Sequence, residues 1–317
     1  MRFFGQTNID FIGKRKIAFV ISGIIILLGI IFMIFSGLRY SIDFTGGVSL
    51  ELDMSPSTAT ATEIPIQEIR DALDAEGIID TEIQELHDLK DRRLILIKTK
   101  VTGDEKAETG FTKGDQIVNV LKNKFPNNYN VNRFLRQQDE VGPRIGEELK
   151  GKAFLAIFWA LLGIIIYIWW RFEFTFGIAA IAALVHDILI TIGIFAIFGK
   201  EISLPIVAAL LTIVGYSLND TIVVFDRIRE DIKKYRRLGY AEIINRSINE
   251  TLSRTIITSL TTFLVVLCLY LFGGTVIHDF AFALLVGVIV GTYSSVFIAS
   301  PILIGYFSRK SRIAKRK

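Results

Sequence analysis

The chain has a single cysteine, Cys268, and it lies in an apolar run. An internal disulfide is therefore excluded, and nothing around that residue suggests metal ligation. No P-loop, no glycine-rich dinucleotide turn and no nucleophilic triad occurs, so ATP binding and hydrolysis by the chain itself are not expected. Charge is also sparse. Asp, Glu, Lys and Arg make up 21% of the residues against 51% hydrophobic ones, and the mean hydropathy is +0.47. That is too apolar for a water-soluble protein of 317 residues and points to membrane insertion. The first apolar run, Ile17–Phe35, is not followed by an A-x-A cleavage site. At 19 residues it exceeds a usual signal-peptide core, so it reads as a retained span.

The few charges are unevenly placed. Residues 38–150 hold 15 Lys/Arg against 21 Asp/Glu, whereas the remainder holds 21 against 11. A basic membrane part with one acidic domain fits an integral membrane protein, and the basic ends read as topology signals, not as a nucleic-acid site. Six runs are long enough to cross a hydrocarbon core, which takes about 20 residues. They are Ile17–Phe35, Ala153–Trp170, Phe176–Phe198, Leu204–Phe225, Ile256–Phe272 and Phe280–Ile304. Arg2 and Lys14–Lys16, the loop 226–253 and the tail from Arg309 to Lys317 concentrate the basic residues on one side, expected to be cytoplasmic.

Between the first and second spans the pattern changes to that of a folded α+β domain. Val48–Leu52, Thr81–Asp88 and Leu94–Val101 alternate like strands, and Tyr129–Gln137 is expected to be a fourth. Ile66–Ala75, closed by Gly77, and Asp115–Phe125, ended by Pro126, have helical spacing. Asp91-Arg92-Arg93 marks the bend between the middle strands, and Gly103–Gly114 reads as a polar insert. The order is βαββαβ, the ferredoxin-like pattern. The predicted fold is thus a six-span α-helical membrane protein with one extracytoplasmic ferredoxin-like domain. Its divisions are 1–37 (N-terminus and first span), 38–150 (domain), 151–308 (five-helix bundle) and 309–317 (basic tail).

Polar residues inside the spans are the candidate site. A carboxylate facing lipid costs about 2.5–3.5 kcal/mol, so Asp220, with Asn219 beside it in the fourth run, is expected to face protein or water. Arg254 opens the fifth run at a similar depth, and the two can meet if those spans are neighbours. A buried carboxylate that alternates between a paired and an unpaired state carries protons; one that stays paired only orients two helices. Both readings stand. Asp187, next to His186 near the middle of the third run, is a secondary relay candidate, with packing the favoured role for His186. Thr258, Thr261 and Thr262 share one face of the fifth span. Gly287-x-x-x-Gly291, with Gly215, offers positions for close helix approach.

Three motifs carry a family resemblance: Asp43-Phe-Thr-Gly-Gly47, Val141-Gly-Pro143, and the long stretch from Gly215 to Arg227. With the six spans, they make the chain resemble the SecD/SecF family of protein-export membrane proteins, within the resistance–nodulation–division superfamily. The resemblance implies an accessory subunit of the bacterial cytoplasmic membrane with both termini cytoplasmic. It would be no enzyme, would need no cofactor, and would use the proton gradient to promote late steps of polypeptide export. The implied partners are SecD, the channel of SecY, SecE and SecG, the YajC and YidC proteins, and the unfolded exported chain. The family's proton-path carboxylate and arginine match Asp220 and Arg254, and Asp43, Gly46 and Gly47 would form the turn linking membrane to domain. The alternatives are a non-coupled scaffold for SecD and the channel, or part of a proton-driven small-molecule exporter.

Overall fold

The structure is a computed structural model. It describes residues 7–55, 63–79, 81–87, 92–100, 112–126, 128–129, 134–235 and 237–314, with side chains excluded at 87, 275–276 and 308–314. Arg2, Asp88, Asp91, Val101, Lys315–Lys317 and most of the Gly103–Gly114 insert lie outside the described residues, as do the side chains of Arg309, Lys310 and Arg312. The chain divides into two compact units, Tyr40–Leu155 and Met1–Arg39 with Ala156–Lys317.

In the Tyr40–Leu155 unit, a one-turn helix α2 (Ile42–Thr45) leads into β1 (Gly47–Asp53). Then come α3 (Ile66–Ala75), β2 (Thr81–His87), β3 (Arg93–Thr99), α4 (Lys113–Lys124) and β4 (Leu135–Val141). The strands form one sheet in the order β2-β3-β1-β4, each antiparallel to its neighbour. Alternation along β1 and β3 turns Val48, Leu50, Leu52, Ile95 and Ile97 into a core shared with Ile69 and Leu73 of α3 and Ile117 and Leu121 of α4. Gly77, at φ +77°, follows the end of α3. Across β2 and β3, Glu85 receives Arg93 in two hydrogen bonds of 2.8 and 3.0 Å, which raise the Arg93 pKa further.

Besides β3, which runs over Arg93–Thr99 and not Leu94–Val101, two elements differ from the sequence expectation. Helix α4 starts at Lys113, two residues earlier, because Thr112 and Asp115 form a reciprocal capping box that closes its first turn. The last strand runs over Leu135–Val141, not Tyr129–Gln137, and pairs Gly47 with Val141. Its polar run Gln137-Gln-Asp-Glu140 has no alternation to read, because β4 is an edge strand with little buried surface.

Six helices among the described residues are long and apolar enough to cross a membrane. They are α1 (Arg15–Phe35), α5 (Pro143–Arg171), α6 (Phe174–Ile197), α7 (Leu204–Lys234), α8 (Tyr240–Phe272), and α9 (Thr275–Ser294), which continues through a π-helical turn at Ser295–Ala299 into α10 (Ser300–Ala314). Helices α6, α7 and α9 form the packed centre. Much of the apolar surface of α1, α5 and α8 faces away from the chain, as membrane-spanning helices permit.

The region from 226 to 253 is not an extended loop. Helix α7 continues to Lys234, α8 already begins at Tyr240, and the connection is short. Charge ends a hydrophobic run without ending a helix. Here the charged turns are braced by Arg227 with Glu230 and Asp231, by Arg246 with Glu250, and by the Arg227–Glu250 pair that joins the two helices. The segment before α1 is strapped to the same end of α8: Asn245 and Asn249 bond the backbone of Ile9, and Asn245 also accepts from Phe11 N–H.

Candidate functional site

Two glycines set the geometry of the bundle centre. Where α9 crosses α7, Gly287 faces Ile213 and Gly291 faces Ser217, and a Cβ on Gly291 would lie 2.9 Å from the Ser217 Cβ. Bare backbone at these positions lets the helices approach closely enough for short hydroxyl side chains to reach across. Gly215, expected to share in this packing, lies on an exposed face of α7, and a Cβ there meets nothing within 4 Å.

Asp220 is 4% exposed, one turn along α7 from Ser217. Its Oδ2 accepts a hydrogen bond of 3.2 Å from Ser259 Oγ on α8. Thr292 Oγ1 on α9 lies 2.7 Å from Ser259 Oγ and 2.6 Å from the Val288 carbonyl. The carboxylate is thus held by a hydroxyl of α8 that is itself met by a hydroxyl of α9. No ion pair joins Asp220 to Arg254: the guanidinium is exposed, and its charge reaches the carboxylate only through space. Asn219 is exposed on another face of α7 and has no hydrogen-bond partner among the described residues.

Asp187, fully buried on α6, is the more densely bonded acid. Its Oδ2 accepts from Ser217 Oγ at 2.5 Å and Ser294 Oγ at 2.8 Å, and its Oδ1 lies 2.9 Å from His186 Nδ1. Ser217 and Asp220 are three residues apart on one helix, so α7 touches both acids within a single turn.

Sequence reasoning missed Ser22, Ser217, Ser259, Thr292 and Tyr293. A hydroxyl in an apolar helix ordinarily bonds the carbonyl one turn back, as Thr258, Thr261 and Thr262 do with Arg254, Ile257 and Thr258. Those three were the visible candidates on α8, yet Ser259 is the residue that reaches the acid. Hydropathy carries no signal that tells the two kinds apart.

The motif Asp43-Phe-Thr-Gly-Gly47 is held backbone to backbone. Ser41 caps α2 by accepting from Asp43 N–H at 3.2 Å, and Gly46 follows at φ +72°. A Cβ on Gly46 would lie 2.7 Å from Pro143 Cα, so Gly46 packs on the Val141-Gly-Pro143 motif, and a Cβ on Gly47 would strike the Thr99 carbonyl. Only glycine suits both the conformation and the contact at Gly46.

Among known proteins, the family described as "Protein export membrane protein SecD/SecF, C-terminal" matches residues 120–309, and "SecD/SecF GG Motif" matches 31–58. The protein translocase subunit SecF of Desulfurispirillum indicum is 46% identical over 93% of this chain and 91% of its own length. SecF of Thermodesulfovibrio yellowstonii is 46% identical over 95% of each chain. The crystal structure of SecDF from Thermus thermophilus, described as a translocon-associated membrane protein, superposes with a TM-score of 0.81 at 37% identity. The match covers 95% of this chain but 39% of that longer one.

Proposed function

The chain belongs to the SecD/SecF family of protein-export membrane proteins, as a SecF-type translocase subunit, and from that premise we propose that it works as a proton-coupled accessory of the export channel. Asp220 is the proton-exchanging group. It is buried in a span, bonded to a neutral hydroxyl, and not locked to its guanidinium neighbour. A carboxylate tied permanently to arginine would have no reason to exchange its proton; one held by Ser259 keeps that freedom. This absence of an Asp220–Arg254 pair is the observation that carries the reading.

Arg254 has no ion-pair partner among the described residues and is exposed at the level of the spans. Lipid is a poor environment for such a charge, so a polar group from a second protein covers it. The matched SecDF chain is more than twice as long as this one, which supports SecD as the source of that group. The channel proteins SecY, SecE and SecG, with YajC and YidC, are the further partners, and the cargo is the unfolded exported chain.

The four-stranded unit is read as ferredoxin-like and extracytoplasmic. Its strand order and antiparallel neighbours support the first, and the basic flanks of the spans, of the kind found on the cytoplasmic side, support the second together with cytoplasmic termini. A proton descending ~100 mV supplies about 2.3 kcal/mol, which shifts a domain equilibrium roughly fifty-fold when fully coupled.

The test is Asp220→Asn in the assembled complex with SecD, assayed for export with and without a proton-motive force. Loss of the gradient-dependent part, with assembly intact, supports the reading. Full gradient-dependent export by that variant would mean the subunit is a scaffold.

A further inference from the structure

The buried chain of groups around His186 is not explained by packing alone. His186, 6% exposed, sits between two oxygens: Nδ1 is 2.9 Å from Asp187 Oδ1 and Nε2 is 2.9 Å from Ser22 Oγ on α1. Ser22 Oγ is in turn 3.1 Å from Tyr293 Oη, and Tyr293 donates to the Ala18 carbonyl at 2.8 Å. The Tyr293 ring stacks on the imidazole. Helices α1 and α6 meet close by at Gly29 and Gly193, where a Cβ on Gly29 would lie 2.7 Å from the Gly193 Cα, so Ser22 is held against the ring.

With Asp187 ionised, its Oδ1 only accepts and Nδ1 carries the hydrogen. Nε2 then has two satisfied settings. With a neutral ring, the Ser22 hydroxyl donates to Nε2 and the Tyr293 hydroxyl, within reach of both Ser22 Oγ and the Ala18 carbonyl, donates to Ser22. With a charged ring, Nε2–H donates to Ser22 Oγ, the Ser22 hydroxyl turns to Tyr293 Oη, and Tyr293 donates to Ala18. Neither setting strands a buried donor or acceptor, which a fixed structural histidine would not require. Asp187 has no Lys or Arg partner among the described residues, so a charged His186 is the one counter-ion within its reach. The titratable groups facing the ring are Asp187 on α6 and Tyr293 on α9. Helix α1 offers only the Ser22 hydroxyl, and α7 offers Ser217, which bonds Asp187, with Asp220 one turn away bonded to Ser259.

We propose that His186 is a second proton-binding site of the bundle, with the Ser22 hydroxyl as the rotor that serves both of its states. A proton delivered by water to Tyr293 Oη displaces the phenolic proton onto Ser22 Oγ as the Ser22 proton moves to Nε2; the reverse sequence returns it. One proton is gained at the ring for each one taken up, and the His186–Asp187 pair passes from net negative to neutral. The role in transport rests on the proton-coupled reading above, but the binding event does not.

The experiment is ring-nitrogen NMR on the full chain in lipid nanodiscs, alone and with SecD, carrying His87→Gln and His278→Gln so that His186 is the remaining histidine. Spectra are taken from about pH 8 down to about pH 5, and the expected result is that the Nδ1–H imidazole gives way to an imidazolium. Ser22→Ala, at the pH where the parent is half converted, is expected to lose most of the imidazolium. One neutral tautomer across that range in the parent would overturn the proposal, as would unchanged populations in Ser22→Ala. The outcome is separable from that of the export assay. A titrating His186 beside an Asp220→Asn complex of full activity keeps this site and removes the role of Asp220. A silent His186 beside an inactive Asp220→Asn complex does the reverse.

Discussion

Ser259 Oγ lies 3.2 Å from Asp220 Oδ2 and is, among the described residues, the one side chain that hydrogen-bonds this buried carboxylate. Arg254, five residues earlier on the same helix, forms no ion pair with it. A neutral donor in place of a cation leaves both states of the acid accessible, and Thr292 connects the donor to a third helix. The carboxylate therefore reports the spacing of three helices at once, which is what a group coupling protonation to movement needs.

Ser259→Ala removes that donor and leaves the carboxylate in place. A neutral hydrogen bond contributes about 1 kcal/mol, so gradient-driven export is expected to fall about fivefold, against near-complete loss in Asp220→Asn. Export rates of the two variants, measured in the same vesicles with and without the gradient, check the ranking. Equal loss in both would assign Ser259 a share in the proton step itself.

Arg254→Gln separates a free guanidinium from a static pair. Breaking a buried pair costs about 3–5 kcal/mol; with no such pair present, thermal unfolding of the chain without SecD should move by less than about 0.5 kcal/mol. Stability in the SecD complex should fall if, as proposed, a polar group of SecD covers the charge there. A large loss in the lone chain would restore the ion-pair reading.

The two glycine positions on the bundle helices should respond oppositely. Gly291→Val forces a branched side chain into Ser217 and is expected to destabilise the chain by about 1–3 kcal/mol. Gly215→Ala meets open space and removes a flexible residue from a helix, so the lone chain should gain up to about 1 kcal/mol. Calorimetry in detergent compares them.

Gly46→Ala combines a disfavoured φ of +72° with a clash at Pro143, and an expected cost of about 3 kcal/mol follows from the two together. Gly77→Ala, at φ +77° but in open space, carries the conformational part alone, about 1 kcal/mol. Denaturation of the two full-length variants gives the difference. Equal costs would mean that the Pro143 contact yields freely and that the motif bends as a hinge.

The Ser247 hydroxyl donates to the fully buried Asp231 at 2.8 Å, and the other Asp231 oxygen has no hydrogen-bond partner among the described residues. Ser247→Ala should therefore cost about 1–3 kcal/mol, more than loss of the half-exposed Arg227–Glu250 contact by Glu250→Gln, at under about 1 kcal/mol. Reversal of that order would place the strength of the α7–α8 end in its outer ion pairs.

The amino-acid sequence by itself determined the six spans, the alternation of strand and helix between the first two, and the glycine spacing of α9, because hydropathy and period are local properties of the chain. It did not reveal that the charged stretch after Phe225 stays helical, since an apolar run ends where charge begins while backbone hydrogen bonding continues. Nor did it show that Ser259 and not Arg254 holds Asp220, that Ser22 closes the chain to His186, or that Gly46 lies against Pro143. Those contacts depend on the rotation of each helix about its axis and on how closely two backbones approach. Side chains remote in the sequence set both, and only the packed tertiary structure decides them.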